Sequence, residues 1–243
     1  AGAGLPLDLP SYLTTDSKTQ LVPIVSSSRA ARLICEKWSA NYGYLPDAIV
    51  VEGPKAGGHL GFKNEQIEDE HYSLEHLIPE VVEVARSYTG RKGIPVIAAG
   101  GIADGRGIAA AFMLGAQGVQ MGTHFVVTNE SQVHENYKDM IIKARDIDSR
   151  VTGRSTGHPV RALRNQMTKE YLQKEQEGAS FEELEHLTLG GLRRAVVDGD
   201  VKTGSVMAGQ IAGMVKEKMS CHDLIQKLVK ETDDLIGGKG FYE

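Results

Sequence analysis

His59 stands directly after Ala56-Gly57-Gly58, in the segment EGPKAGGHLG (52–61) that follows the apolar run DAIVV (47–51). A neutral imidazole, with an unperturbed pKa of about 6.5, can take a proton from a substrate when a loop holds it at a site. Two more glycine-bearing turns follow apolar runs in the same way. They are AGGIADGRG (99–107) after IPVIAA (94–99), and Gly122-Thr123 at the end of GVQMG (118–122). Glycine lets backbone N–H groups approach a ligand closely. The second turn also feeds a helix N-terminus, whose unpaired N–H groups and dipole favour a phosphate.

Plainer readings stand beside these. Gly100, Gly101, Gly105 and Gly107 could only make tight turns, Asp104 could only cap a helix, and His59 could be a structural loop residue. His124 could reach the pocket or pack behind it, and His158 could line a loop over it. His71, His76, His134, His186 and His222 sit among charged residues and read as solvated. There is no metal-ligand cluster, no GxSxG elbow and no GxGxxG after a first strand.

The elements that must position these turns alternate. QLVPIV (20–25) reads as a strand and is followed by a helix near 28–41, with Ala30, Leu33, Ile34 and Trp38 on one face. DAIVV is the next strand. A helix around 76–88 carries Ile78, Val81, Val82 and Ala85; IPVIAA, a helix over 103–116 and GVQMG complete the series. Continuous Val/Ile runs predict strands buried on both faces, in a parallel sheet wrapped by helices. Either a doubly wound sheet or a TIM barrel would fit, and in a barrel the three turns converge on one face. Past residue 128 the pattern predicts helices near 130–145, 180–188, 190–198, 205–217 and 221–236, with no strand. Thr152–Pro159 reads as a loop.

Composition narrows the classes. Of 243 residues, 41% are hydrophobic and 24% charged, which excludes a disordered chain. The net charge is −5 and no Lys/Arg run occurs, so a nucleic-acid partner is not expected. No apolar run approaches the ~20 residues of a membrane span, so no membrane partner is expected either. Cys35 and Cys221 lie far apart and read as plain thiols suited to a reducing cytoplasm. AGAGLP (1–6) lacks an initiator Met and suits a turn entered from an earlier strand, so residues before Ala1 are expected.

EGPKAGGHLG, IPVIAAGGIADGRGIAAAF and LGAQGVQMGTHF together resemble the nitronate monooxygenase family. They are equally similar to its relative, the flavin-dependent enoyl-[acyl-carrier-protein] reductase II. GHPVRALRN (157–165) and GSVMAGQIAG (204–213) extend the likeness over most of the chain. The resemblance implies an FMN-binding (β/α)8 TIM barrel with a helical extension. Residues 1–128 would be the C-terminal part of the barrel and 129–243 the mainly helical extension. AGAGLP would end the fourth strand, with three strands before it, because five strands cannot close an eight-stranded barrel.

By the same resemblance, Gly101 would hold the FMN phosphate from the seventh strand's loop, with Gly100 also at the cofactor. Gln120, Met121, Gly122 and Thr123 would bind it from the eighth, Gly57 and Gly58 would lie against the flavin, and His59 would be the catalytic histidine. A monooxygenase would oxidise nitronates or nitroalkanes with O2; a reductase would use NADH or NADPH to reduce an enoyl thioester. Acidic FKNEQIEDEHYS (62–73) would repel acidic acyl-carrier protein, which favours a small-molecule substrate and the monooxygenase reading. The intact Gly57-Gly58-His59 argues against an inactive flavin-binding barrel. No metal is expected, and a homodimer is left open.

Overall fold

The computed structural model describes residues 4–14, 16–89 and 93–237. Ala1, Gly2 and Ala3 of the opening turn lie outside them. The fold is α/β, with a four-stranded parallel sheet: β1 (Ile24–Val25), β2 (Ile49–Glu52), β4 (Val96–Ala99) and β5 (Gly118–Gln120). The order is β1-β2-β4-β5, with Ile24 beside Val50, Val51 beside Ala98 and Ala99 beside Gln120. The helices between them are α1 (Ser28–Tyr42), α2 (Leu74–Thr89) and α3 (Gly105–Met113). This βα alternation puts the C-terminal ends of the parallel strands on one side, as in a (β/α)8 barrel wall.

Local chemistry accounts for the boundaries. The Ser27 hydroxyl accepts from Ala30 N (3.1 Å) to start α1, and Gly43 ends it in the left-handed region. QLVPIV yields only the pair Ile24–Val25, because Pro23 has no N–H to give a ladder. The inner strands β2 and β4 are buried on both faces, as their Val/Ile runs require. The outer strands depart from that expectation. Ile24 is exposed and β5 is half-covered, and among the described residues each pairs with a strand on one side only.

The described residues past 128 correct the sequence reading. After short α4 (Thr123–Val126), α5 (Glu135–Ile142) falls within the helix expected near 130–145, but a β-hairpin of β6 (Ser149–Thr152) and β7 (Val160–Leu163) follows where no strand was expected. The hairpin pairs antiparallel with β3 (Gly58–His59), giving a second sheet of order β3-β7-β6. Then come α6 (Gln166–Gln176), which the sequence reading missed, α7 (Phe181–Thr188), α8 (Gly191–Val196) and α9 (Cys221–Ile236). The helix expected over 205–217 is only a 3-10 turn, Gln210–Met214, because Ser205–Gly209 runs extended across β7, with Met207 bridged to Ala162.

The main core joins Val25, Ile34, Trp38, Ile49, Val51, Ile78, Val81 and Val96, and α9 returns to it through Leu224 and Leu228. A second core, with Tyr137, Ile141, Leu163, Val206 and Ala208, supports the hairpin.

Candidate active site

The ends of β2, β4 and β5 border a cavity of about 310 Å3. Its lining brings together Gly57, Gly58, Gly100, Gly101, Gln120, Met121, Gly122 and Thr123, all eight residues expected to hold a cofactor. Gly100 and Gly101 take φ of 83° and 98°, which turns the chain sharply away from β4. Gly57 is required by close approach: a Cβ there would come within 2.5 Å of the Ala208 carbonyl carbon and 2.6 Å of Gly209 N. The N–H groups of Gly101, Gly122 and Thr123 donate to no backbone carbonyl among the described residues, so the turns retain donors for a ligand.

His59 lies elsewhere in detail. It sits in β3, opposite Val160, with the pairing continued by Leu60 N to Pro159 O (2.9 Å). It is exposed to a second cavity of about 310 Å3, lined also by His158, Met167, Tyr171, Phe181, Leu192 and Met207. Met207 borders both cavities, so candidate base and candidate cofactor site are neighbours across one side chain.

That wall is held firmly. The Tyr137 hydroxyl donates to Met207 O at 2.6 Å, and burial pushes its pKa up to about 12, so it stays a donor. Gly209 N donates to Thr123 Oγ1 (2.9 Å), and Gln210 N to Lys55 O (3.0 Å). A larger cleft of about 450 Å3 lies beside α5, but it holds none of the glycine turns. Its Asp148 is already paired with Arg164 at 3.1 Å.

The first N–H groups of α3, the helix that begins within AGGIADGRG, have protein acceptors. Asp104 accepts from Arg106 N and Gly107 N (both 3.1 Å), and Glu231 of α9 accepts from Gly105 N (2.9 Å). Its N-terminal donors are taken, and Asp104 is the helix cap. His124 packs behind the site, with Nδ1 3.0 Å from Ala103 O. His158 lines the cavity of His59.

The family model for nitronate monooxygenase matches residues 2–231. The chain belongs to the nitronate monooxygenase family. A probable nitronate monooxygenase of Staphylococcus saprophyticus is 32% identical over 203 residues, covering 83% of this chain and 55% of its own length. One from Bacillus subtilis is 32% identical over 185 residues, covering 76% and 51%. The chain thus spans about half the length of the curated relatives it matches. Among solved structures, FabK from Thermotoga maritima superposes with TM-score 0.81 at 37% identity, over 100% of this chain and 69% of that one. A nitroalkane oxidase from Streptomyces ansochromogenes gives 0.68 at 27%, over 90% and 59%.

In this nitronate monooxygenase family member the sequence reading missed several wall residues. Glu52 ends β2 inside the first cavity, and burial raises its pKa above the usual carboxylate value. Met207, Ala208 and Gly209 sit in GSVMAGQIAG, which carried the resemblance but had no assigned role. Buried Arg161, opposite Gly58, donates to Pro54 O and Ser149 Oγ (both 3.0 Å) and so clamps the loop that carries His59. Among the described residues, no three His, Cys, Asp or Glu side chains are grouped to hold a metal, and no helix is long and apolar enough to cross a membrane.

Proposed function

We propose that this chain supplies the C-terminal part of an FMN-dependent oxidoreductase of the nitronate monooxygenase type. One observation carries the reading: the glycine turns after β2, β4 and β5 line one cavity, and His59 faces the adjoining one. Gly101, Gly122 and Thr123 would hold the phosphate through free backbone N–H groups. Gly57, Gly58, Gly100, Gln120 and Met121 would border the rest of the cofactor. The fit rests on those donors and on the close backbone approach at Gly57. Bound FMN would supply the redox chemistry, with O2 as oxidant.

His59 would act as general base. Its neutral imidazole takes the α-proton of a nitroalkane, and the C–H electron pair moves to the nitro oxygens, giving a nitronate. Apolar Met167, Phe181 and Leu192 would receive the alkyl part and keep water from it. Two free thiols, Cys35 pushed up to about 11 by burial and Cys221 half-buried, fit a reducing cytoplasm.

A second reading, NADH- or NADPH-dependent enoyl-thioester reduction, is favoured by the 37% identity to FabK. The acidic stretch argues against a carrier-bound substrate. Glu68 bonds Arg154 at 2.6 Å, which sets that stretch against the turn bordering His59's cavity. The two readings separate when purified full-length protein is mixed without oxygen with a nitronate, NADH or NADPH. Bleaching of the flavin by the nitronate is the expected result; bleaching by NADH or NADPH alone transfers the chain to the reductases. Heat-released cofactor should migrate as FMN, and FAD would overturn the cofactor assignment.

A further inference from the structure

His59 shares its cavity with a second imidazole, that of His158. We propose that His158 is a catalytic residue that donates an N–H to the substrate oxygens, where negative charge collects as His59 removes the α-proton. The inference rests on the general-base reading of His59 and adds the group that receives the displaced charge.

Register brings the two rings together. His59 is opposite Val160, and the pairing continues from Leu60 N to Pro159 O. His158 lies two positions before Val160, in the turn that enters β7, and borders the same cavity as His59. The turn that presents it is fixed, for His158 N donates to Gly153 O (3.1 Å) and Thr156 Oγ1 to the same carbonyl (3.0 Å).

The chemistry needs such a donor. When the C–H pair moves onto a nitro group, the charge lands on two oxygens one atom away from the carbon. An oxyanion at that point is stabilised by a positioned donor in a site that limits water. Among the other side-chain donors in the lining, Tyr171 is 5% exposed and hydrogen-bonded with Thr156, and the threonine hydroxyls are occupied. Thr152 Oγ1 donates to Val160 O (3.4 Å), Thr156 Oγ1 to Gly153 O, and Thr188 Oγ1 to Glu185 O (3.0 Å). Ser205 is buried, and Glu185, ionised, can only accept. Neither the His59 ring nor the His158 ring has a protein hydrogen-bond partner among the described residues, unlike the His124 ring, which is tied to Ala103 O. Both rings are therefore available to a ligand.

The test uses the full-length holoenzyme, wild type against His158→Ala, His158→Phe and His158→Gln. Calorimetry measures the Kd for butyrate, whose planar carboxylate has the shape and charge of a nitronate's end. Steady-state rates with a nitroalkane and its nitronate are measured beside it. His158→Ala and His158→Phe should weaken butyrate binding and raise the nitronate KM about 10–100-fold, the effect of losing a hydrogen bond to a charged group. His158→Gln, which keeps an N–H donor, should recover most of the affinity, with flavin content unchanged throughout. Unchanged butyrate affinity in the Ala and Phe variants, no butyrate binding to wild type, or equal loss in the Gln variant would each overturn the assignment. An enzyme that turns over enoyl thioesters and no nitro compound removes the proposed function. A loss of butyrate affinity in His158→Ala would still support His158 as the oxyanion donor.

Discussion

The two cavities that meet at Met207 are built from different material. The one at the ends of β2, β4 and β5 is rich in glycine and alanine, while the one under the hairpin is lined by larger side chains, two imidazoles among them. Backbone donors cannot be exchanged by substitution and suit a cofactor that never varies. Side chains can be exchanged, so the hairpin side is where substrate choice can change on the same sheet. On the proposed function, the first region would bind the cofactor and the second would carry the proton chemistry.

The sharpest way to break this division is at His59. Replacing it by Ala or Asn should lower the rate with a neutral nitroalkane roughly 10²–10⁴-fold. Flavin content should hold, and a pre-formed nitronate, which has already lost its proton, should still react. Equal loss on both substrates would make His59 a binding residue, and loss of flavin would erase the boundary between the cavities.

A smaller effect is expected on the backbone side. Gly57→Ala drives a Cβ to within 2.5 Å of the Ala208 carbonyl carbon, so the two segments must separate. The cost should be about 1–3 kcal/mol, with a fall in bound flavin read from the ratio of visible to ultraviolet absorbance. Full flavin loading and unchanged Tm would show that the approach is loose.

The wall between the cavities comes next. Tyr137→Phe removes the hydrogen bond to Met207 O and should cost about 1–2 kcal/mol. That corresponds to a Tm lower by a few degrees, at about 2–4 °C per kcal/mol for a chain of this size. An unchanged Tm would mean that packing alone holds Met207.

Glu52 should give the smallest effect, with a defined pH sign. Burial raises its folded pKa, so the folded state holds the proton more tightly than the unfolded chain. Stability is therefore lost as pH rises from the ordinary carboxylate value, about 4.3, through the raised one. Glu52→Gln should raise Tm by about 1–3 °C at neutral pH and leave it unchanged in acid. A Tm difference independent of pH would show that ionisation at Glu52 is not responsible.

Much of the first region was legible in the sequence, and for one reason. Buried parallel strands are near-continuous Val/Ile runs, and glycines clustered after them mark the turns at their ends, so DAIVV, IPVIAA and their turns could be placed. The hairpin was not legible. Arg150 and Arg161 interrupt the apolar alternation of two four-residue strands, although Arg161 turns inward and is buried. Nor could the role of Met207–Gly209 be read. Gly204, Gly209 and Gly213 look like small residues in a helix, whereas the segment is held extended by its bridge to Ala162. His59 stood out from its turn, but its antiparallel pairing did not, because the partner strand was missed.

The strand that carries His59 also sets a timetable for synthesis. Pro54 and the Arg161 that clamps it are 107 residues apart in the chain. A ribosome adding roughly 5–20 residues per second leaves about 5–20 s between them, while β1, β2, β4 and β5 can already associate. Throughout that interval the glycine-lined side can take shape with the histidine still unanchored. His59 thus reaches its final pairing late, and a truncation anywhere between β5 and β7 would leave a sheet end with its glycine turns but no seat for His59.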